Sequence, residues 1–107
     1  MNELSEKHEA IRDVVRAMRT ELGSTAFDIA DHWEMDRCAI GLCNRSDASR
    51  LVYICTFRLP RDKYDVDLDV ASSVDDDVPY MTVDSYRKVT FDELVEIVRK
   101  HLLLPSE

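Results

Sequence analysis

The segment Tyr64-Asp65-Val66-Asp67-Leu68-Asp69-Val70 alternates apolar and acidic residues without a break. In an extended strand successive side chains point to opposite faces. Val66, Leu68 and Val70 then share one face, and Asp65, Asp67 and Asp69 the other. A slip of one residue would turn the whole acidic row into the core, where unpaired carboxylates are strongly disfavoured. This run therefore demands a strand with one covered face and a single register.

The same period of two extends around it. Ala26–Trp33, Arg37–Cys43, Leu51–Arg58 and Tyr64–Ala71 read as four strands, and Met81–Ser85 as a short fifth. The connections Asn44–Ser49 and Leu59–Lys63 are rich in turn formers. Outside this block the period becomes helical. Leu4, His8, Ile11, Val15, Met18 and Leu22 form one stripe of a helix over Asn2–Leu22, with Gly23 as its stop. Thr90-Phe91-Asp92-Glu93 is a capping box, Val89 and Leu94 sit where a hydrophobic staple places them, and Pro105 lies past the end of the last helix. The links between strands are too short for parallel crossovers. The expected fold is a single α+β domain over residues 1–107. It is a two-layer sandwich: an antiparallel four- or five-stranded sheet with N- and C-terminal helices on one face.

A hairpin centred near Arg61 sets Thr56 beside Val66, Ile54 beside Leu68 and Val52 beside Val70, and Ile40 and Leu42 join that layer. The opposite face then carries Leu51, Tyr53, Cys55 and Phe57, flanked by Ala39, Gly41 and Cys43 and by Asp65, Asp67 and Asp69. An apolar, aromatic surface with an acidic edge has the composition of a contact surface. Three occupants compete for it: the chain's own residues 72–88, a second copy, and a different protein. For the first strand, a turn at Glu34-Met35 sends Phe27 and Ile29 to the core. A shift of one residue sends them, with Trp33, to the other face.

Charge narrows the partners. The 107 residues include 22 acidic and 14 basic side chains, a formal charge of −8. That field repels nucleic acid and anionic membranes and attracts basic proteins. There is no N-terminal signal-like stretch and no apolar run of about 18 residues, so a cytoplasmic location is expected. Cys38, Cys43 and Cys55 are odd in number and lack metal-ligand spacing, which suggests reduced, packed thiols. For nucleophilic chemistry Cys55 has no base at recognisable spacing. Two glycines, Gly23 and Gly41, leave no phosphate-binding loop. Asp65-Val66-Asp67-Leu68-Asp69 starts like a calcium loop, but Val70 and Asp76 stand where Gly and Glu are required. Asp75-Asp76-Asp77 reads as a solvated loop. Asp28, Asp31, His32, Trp33, Glu34 and Asp36 form the one cluster that suits a small enzyme or metal-binding protein around His32. No catalytic residue, cofactor or metal ligand is assigned.

In length, charge and helix–sheet–helix order the chain resembles small acidic bacterial toxin-immunity proteins. The segments Trp33-Glu34-Met35-Asp36-Arg37-Cys38-Ala39-Ile40-Gly41-Leu42 and Leu51-Val52-Tyr53-Ile54 carry the resemblance. It implies a protein that blocks a cognate toxin, with an acidic patch set against a basic active site. Small acidic secretion chaperones share the gross features but have a further helix between strands, for which no segment reads here. The expectation is a non-enzymatic module that binds a basic or amphipathic protein partner. Its contact residues are Tyr53, Phe57, Asp65, Asp67 and Asp69, with Trp33 in addition. A structural homodimer through the same face is the alternative.

Overall fold

The first helix is shorter than its stripe. In a computed structural model, which describes residues 7–23, 25–30, 37–45, 47–60, 62–71 and 80–104, α1 spans Glu9–Leu22. His8 is its N-cap in extended conformation (φ −60°, ψ 155°). The His8 N–H donates to Arg37 O at 2.9 Å, which draws the chain away from a helical path at this residue. The remainder of the expected helix, residues 2–6, lies outside the described residues. Ile11, Val14, Val15 and Met18 are buried along one stripe, and Gly23 ends the helix at φ 109°, a conformation that side-chain-bearing residues avoid.

Five strands follow in an antiparallel meander, β1 (Phe27–Ile29), β2 (Ala39–Asn44), β3 (Asp47–Cys55), β4 (Tyr64–Ala71) and β5 (Tyr80–Val89), ordered in space as in sequence. Only β4 has the expected bounds. β1 is three residues long, with Ala26 and Ala30 of the expected span outside the strand, and residues 31–33, which include His32 and Trp33, fall outside the described residues. Phe27 and Ile29 pair with Asn44 and Leu42. Both join the core, the first of the two expected orientations, while the turn that would set it, Glu34-Met35, lies outside the described residues. The connection after β2 is tighter than expected, because Asn44 already pairs with Asp47.

β3 ends at Cys55 rather than at Arg58. The Thr56 N–H donates to Cys38 O at 2.9 Å, and Arg58 turns to φ 59°. The loop to β4 is consequently longer than its turn residues alone indicate. Ile54 pairs with Val66 and Val52 with Leu68, two residues from the expected partners. A shift of two preserves which face each side chain occupies, so the core composition survives the error. β5 is twice the expected length and runs to Val89. Residues 80–88, considered above as a cover for the sheet, are a strand within it.

α2 (Phe91–His101) begins with the full capping box: Glu93 N–H donates to Thr90 Oγ1 at 3.3 Å, and Thr90 N–H to Glu93 Oε1 at 3.0 Å. Leu103 then takes φ 59°, and Leu104 N–H closes back on Arg99 O at 2.9 Å, a Schellman end without glycine. Both helices and one sheet face meet in a single core, in which Ile11, Val15 and Met18 join Leu94, Val98 and Leu102 over Ile40, Leu42, Val52, Ile54 and Val66. No helix among the described residues is long and apolar enough to cross a membrane.

Replacing Thr90 by Ala is expected to cost about 1 kcal/mol in a urea titration, the usual value of an N-cap side chain. The N–H of Thr90 also holds the Glu93 carboxyl below its ordinary value. A group with a depressed folded-state pKa stabilises the fold above its unfolded pKa, and the contribution disappears as pH falls through the folded one. The loss of stability on acidification below the normal glutamate range should therefore be smaller in Glu93→Gln than in the parent chain.

Candidate functional site

β4 lies inside the sheet, between β3 and β5, so its outward carboxylates do not form an edge. On the face away from the helices, Tyr53 stands between Gly41 and Asp67, and Leu51 between Cys43 and Asp69. This face is not open at its centre. Leu51 and Ala39 are both 0 % exposed, and Tyr53 is half-buried. The helices pack on the other side and do not account for this burial.

Phe57 lies past the end of β3, in a turn, where strand alternation no longer sets its direction. It is 59 % exposed, and its ring carries the Arg58 guanidinium at 5.2 Å from the centroid. The expected grouping of Leu51, Tyr53 and Phe57 on one open surface therefore does not form. Trp33, His32 and the neighbouring carboxylates Asp31, Glu34 and Asp36 are outside the described residues.

The three aspartates do share a face, and each is engaged by β5. Thr82 Oγ1 donates to Asp69 Oδ1 at 2.7 Å. Ser85 Oγ and Arg87 Nη1 donate to Asp67 Oδ1 at 2.7 and 3.1 Å. The Lys88 backbone N–H donates to Asp65 Oδ1 at 3.0 Å, from a residue at φ 54°. The acidic row is a polar seam to the next strand. Thr82 and Ser85 lie in the expected fifth strand, but their register to β4 had no local signature, and Arg87 and Lys88 lie beyond its expected end.

Cys43 joins this face beside Asp28. Burial pushes its thiol pKa up, the Asp28 charge adds to the effect, and a hydrogen bond from the Asp28 backbone opposes it. Arg45 meets the Asp28 carboxylate at 3.4 Å.

β5 is the strand most available for contact. Among the described residues no strand flanks its outer side, and Met81 through Lys88 are all exposed. Met81, Val83 and Tyr86 are 53, 54 and 39 % exposed, which is unusual for large apolar residues within a single strand. On the helix side, a groove of about 660 Å³ separates β5 from α2. Leu68, Tyr86, Val89 and Ile97 line it, with Glu96 and Lys100 also on the lining. The Tyr86 hydroxyl donates to Asp84 Oδ2 at 3.0 Å, and this bond, with the carboxylate charge, raises the phenol pKa. At the far end of α2, His101 Nε2 donates to Asp69 O at 2.8 Å, beside an irregularity in the β4–β5 pairing at Leu68/Asp69. A carbonyl only accepts, so the proton is on Nε2.

Truncating Asp67 to Ala removes the acceptor shared by Ser85 and Arg87. A loss of about 1–2 kcal/mol is expected, the typical cost of deleting one side of such a bond. Amide hydrogen exchange should show β5 losing protection before β3; equal loss in both strands would show that the seam does not hold β5.

No family model, curated protein or solved structure matches this chain.

Proposed function

We propose that the chain is a non-enzymatic protein-binding module that receives an extended basic segment of a partner along β5. The observation that carries this reading is a ten-residue strand at the end of the sheet, with eight consecutive exposed residues. The free side of an edge strand presents backbone N–H and C=O groups, and native proteins usually blunt such edges. This one instead displays Met81, Val83 and Tyr86. Strand addition draws affinity from main-chain hydrogen bonds and specificity from pockets for alternate side chains. The groove between β5 and α2 supplies such a pocket. A formal charge of −8 favours a basic partner and raises its rate of encounter. Relative to the sequence-based expectation, the class of partner is kept and the contact moves from the β3–β4 face to the edge. The resemblance to immunity proteins gives this proposal a specific form, in which the basic segment belongs to a toxin. Three free thiols suit a reducing compartment such as the cytoplasm.

A second reading is a homodimer through β5. The strand carries both signs of charge, Asp84 against Arg87 and Lys88, which an antiparallel two-fold pairing brings into proximity. The like net charge of two copies opposes it.

Sedimentation and an NMR titration separate the two readings. A monomer at micromolar concentration is expected. A synthetic peptide alternating Lys with Val or Leu should shift amide resonances of residues 80–89 and of the groove, while its Glu-containing counterpart should not. Val83→Lys should weaken the basic peptide at least about tenfold, roughly 1.4 kcal/mol, with an unchanged circular dichroism spectrum. A stable dimer that Val83→Lys dissociates, or shifts confined to the Tyr53 face, would overturn the heterologous edge reading.

A further inference from the structure

His8 and Cys38 are thirty residues apart in sequence, yet His8 Nδ1 lies 3.2 Å from Cys38 Sγ. The backbone holds them together. His8 N–H donates to Arg37 O at 2.9 Å, and Cys38 O accepts from Thr56 N–H at 2.9 Å. A thiol beside an imidazole is activated, because the thiolate is the nucleophile and the imidazolium stabilises it. His8 is the N-cap of a fourteen-residue helix, whose partial positive charge favours a Cys38 anion but opposes a positive charge on His8 itself, so activation rests on the thiol–imidazole contact. His8 is exposed and Cys38 partly so.

A cleft of about 580 Å³ between α1 and the β3–β4 connection lies beside the pair, with neither His8 nor Cys38 on its lining. Glu9 and Thr56 line it. Glu9 follows His8 in the chain, and Thr56 is the residue bonded to the Cys38 carbonyl. The other two thiols differ. Cys43 is buried and faces Asp28, and burial raises its pKa. Cys55 has Asp65 as its strand partner, and its sulfur accepts the Phe57 N–H at 3.4 Å. Among the described residues only Cys38 has an imidazole at its sulfur.

We propose that Cys38 and His8 form a reactive thiol–imidazole pair that exchanges with low-molecular-weight disulfides, making Cys38 a site of reversible mixed-disulfide formation. The Cys38 proton passes to His8 Nδ1, and the thiolate attacks one sulfur of the small disulfide. A new S–S bond forms at Cys38 as the old one breaks. The leaving thiolate takes the proton held by His8. Cys38 is oxidised and half of the small disulfide is reduced to a thiol, so atoms and electrons balance. Cys55 is on the far face of the sheet, away from α1, so the product remains a mixed disulfide.

The test uses the intact chain and bis(2-hydroxyethyl) disulfide, a neutral probe, with the adduct at each cysteine followed by peptide mass spectrometry. Cys38 should react at least about threefold faster than Cys55, because it alone among the described thiols has an imidazole at its sulfur, and the buried Cys43 should react slowest. His8→Gln should remove the advantage of Cys38 while circular dichroism shows α1 intact. The comparison of Cys38 with Cys55 in the unaltered protein stands even if the variant folds poorly. Equal rates at Cys38 and Cys55, or an unchanged Cys38 rate in folded His8→Gln, would overturn the proposal.

Discussion

The pairing of β4 with β5 is the contact on which the rest of the architecture depends. β4 presents Val66 and Leu68 to the core, and its other face is occupied by three carboxylates bonded across to Thr82, Ser85, Arg87 and the Lys88 amide. Hydrophobic burial sets the register on one side and charge-assisted hydrogen bonds set it on the other. Two irregularities interrupt this pairing, at Tyr64/Val66 and at Leu68/Asp69. At each, a polar group of β4 or β5 gains a partner outside the regular ladder: the Lys88 N–H finds Asp65, and the Asp69 carbonyl finds His101. The bulges are thus where the strand pair is tied to its surroundings.

The C-terminus of α2 depends on the same sheet. Asn44 Nδ2 donates to Leu102 O at 2.7 Å, and Arg50 Nη1 to His101 O at 3.4 Å, so β2 and β3 satisfy carbonyls that a helix end leaves unpaired. With the His101 bond to β4, three consecutive strands hold one helix end. The N-terminus of the same helix is satisfied locally by Thr90 and Glu93. One end of α2 is therefore specified by neighbouring residues in sequence, and the other only by the assembled sheet.

This difference explains what could be read in advance. The capping box, the two apolar stripes and the β4 alternation are local patterns, and each predicted its element; the α+β class and the antiparallel sheet followed. Where a boundary depended on a distant partner, the prediction slipped. β3 stops at Cys55 with Arg58 turning to φ 59° just beyond it, and α1 starts at Glu9, where the extended His8 bonds to Arg37. The expected contact surface depended on distant partners in the same way. Asp65, Asp67 and Asp69 have the alternation of a free acidic face, and only the pairing and register of β5 beside β4 reveal that they have partners. Phe57 lost its place when β3 ended two residues before it. The pairing of His8 with Cys38 had no local signature, since thirty residues separate them.

The two ends of the sheet are unequal: β1 contributes three residues and β5 ten. A chain with two long free borders can add copies indefinitely and build fibres. Among the described residues only β5 offers such a border, so two copies joined through it would each use up their long edge and leave no growing tip.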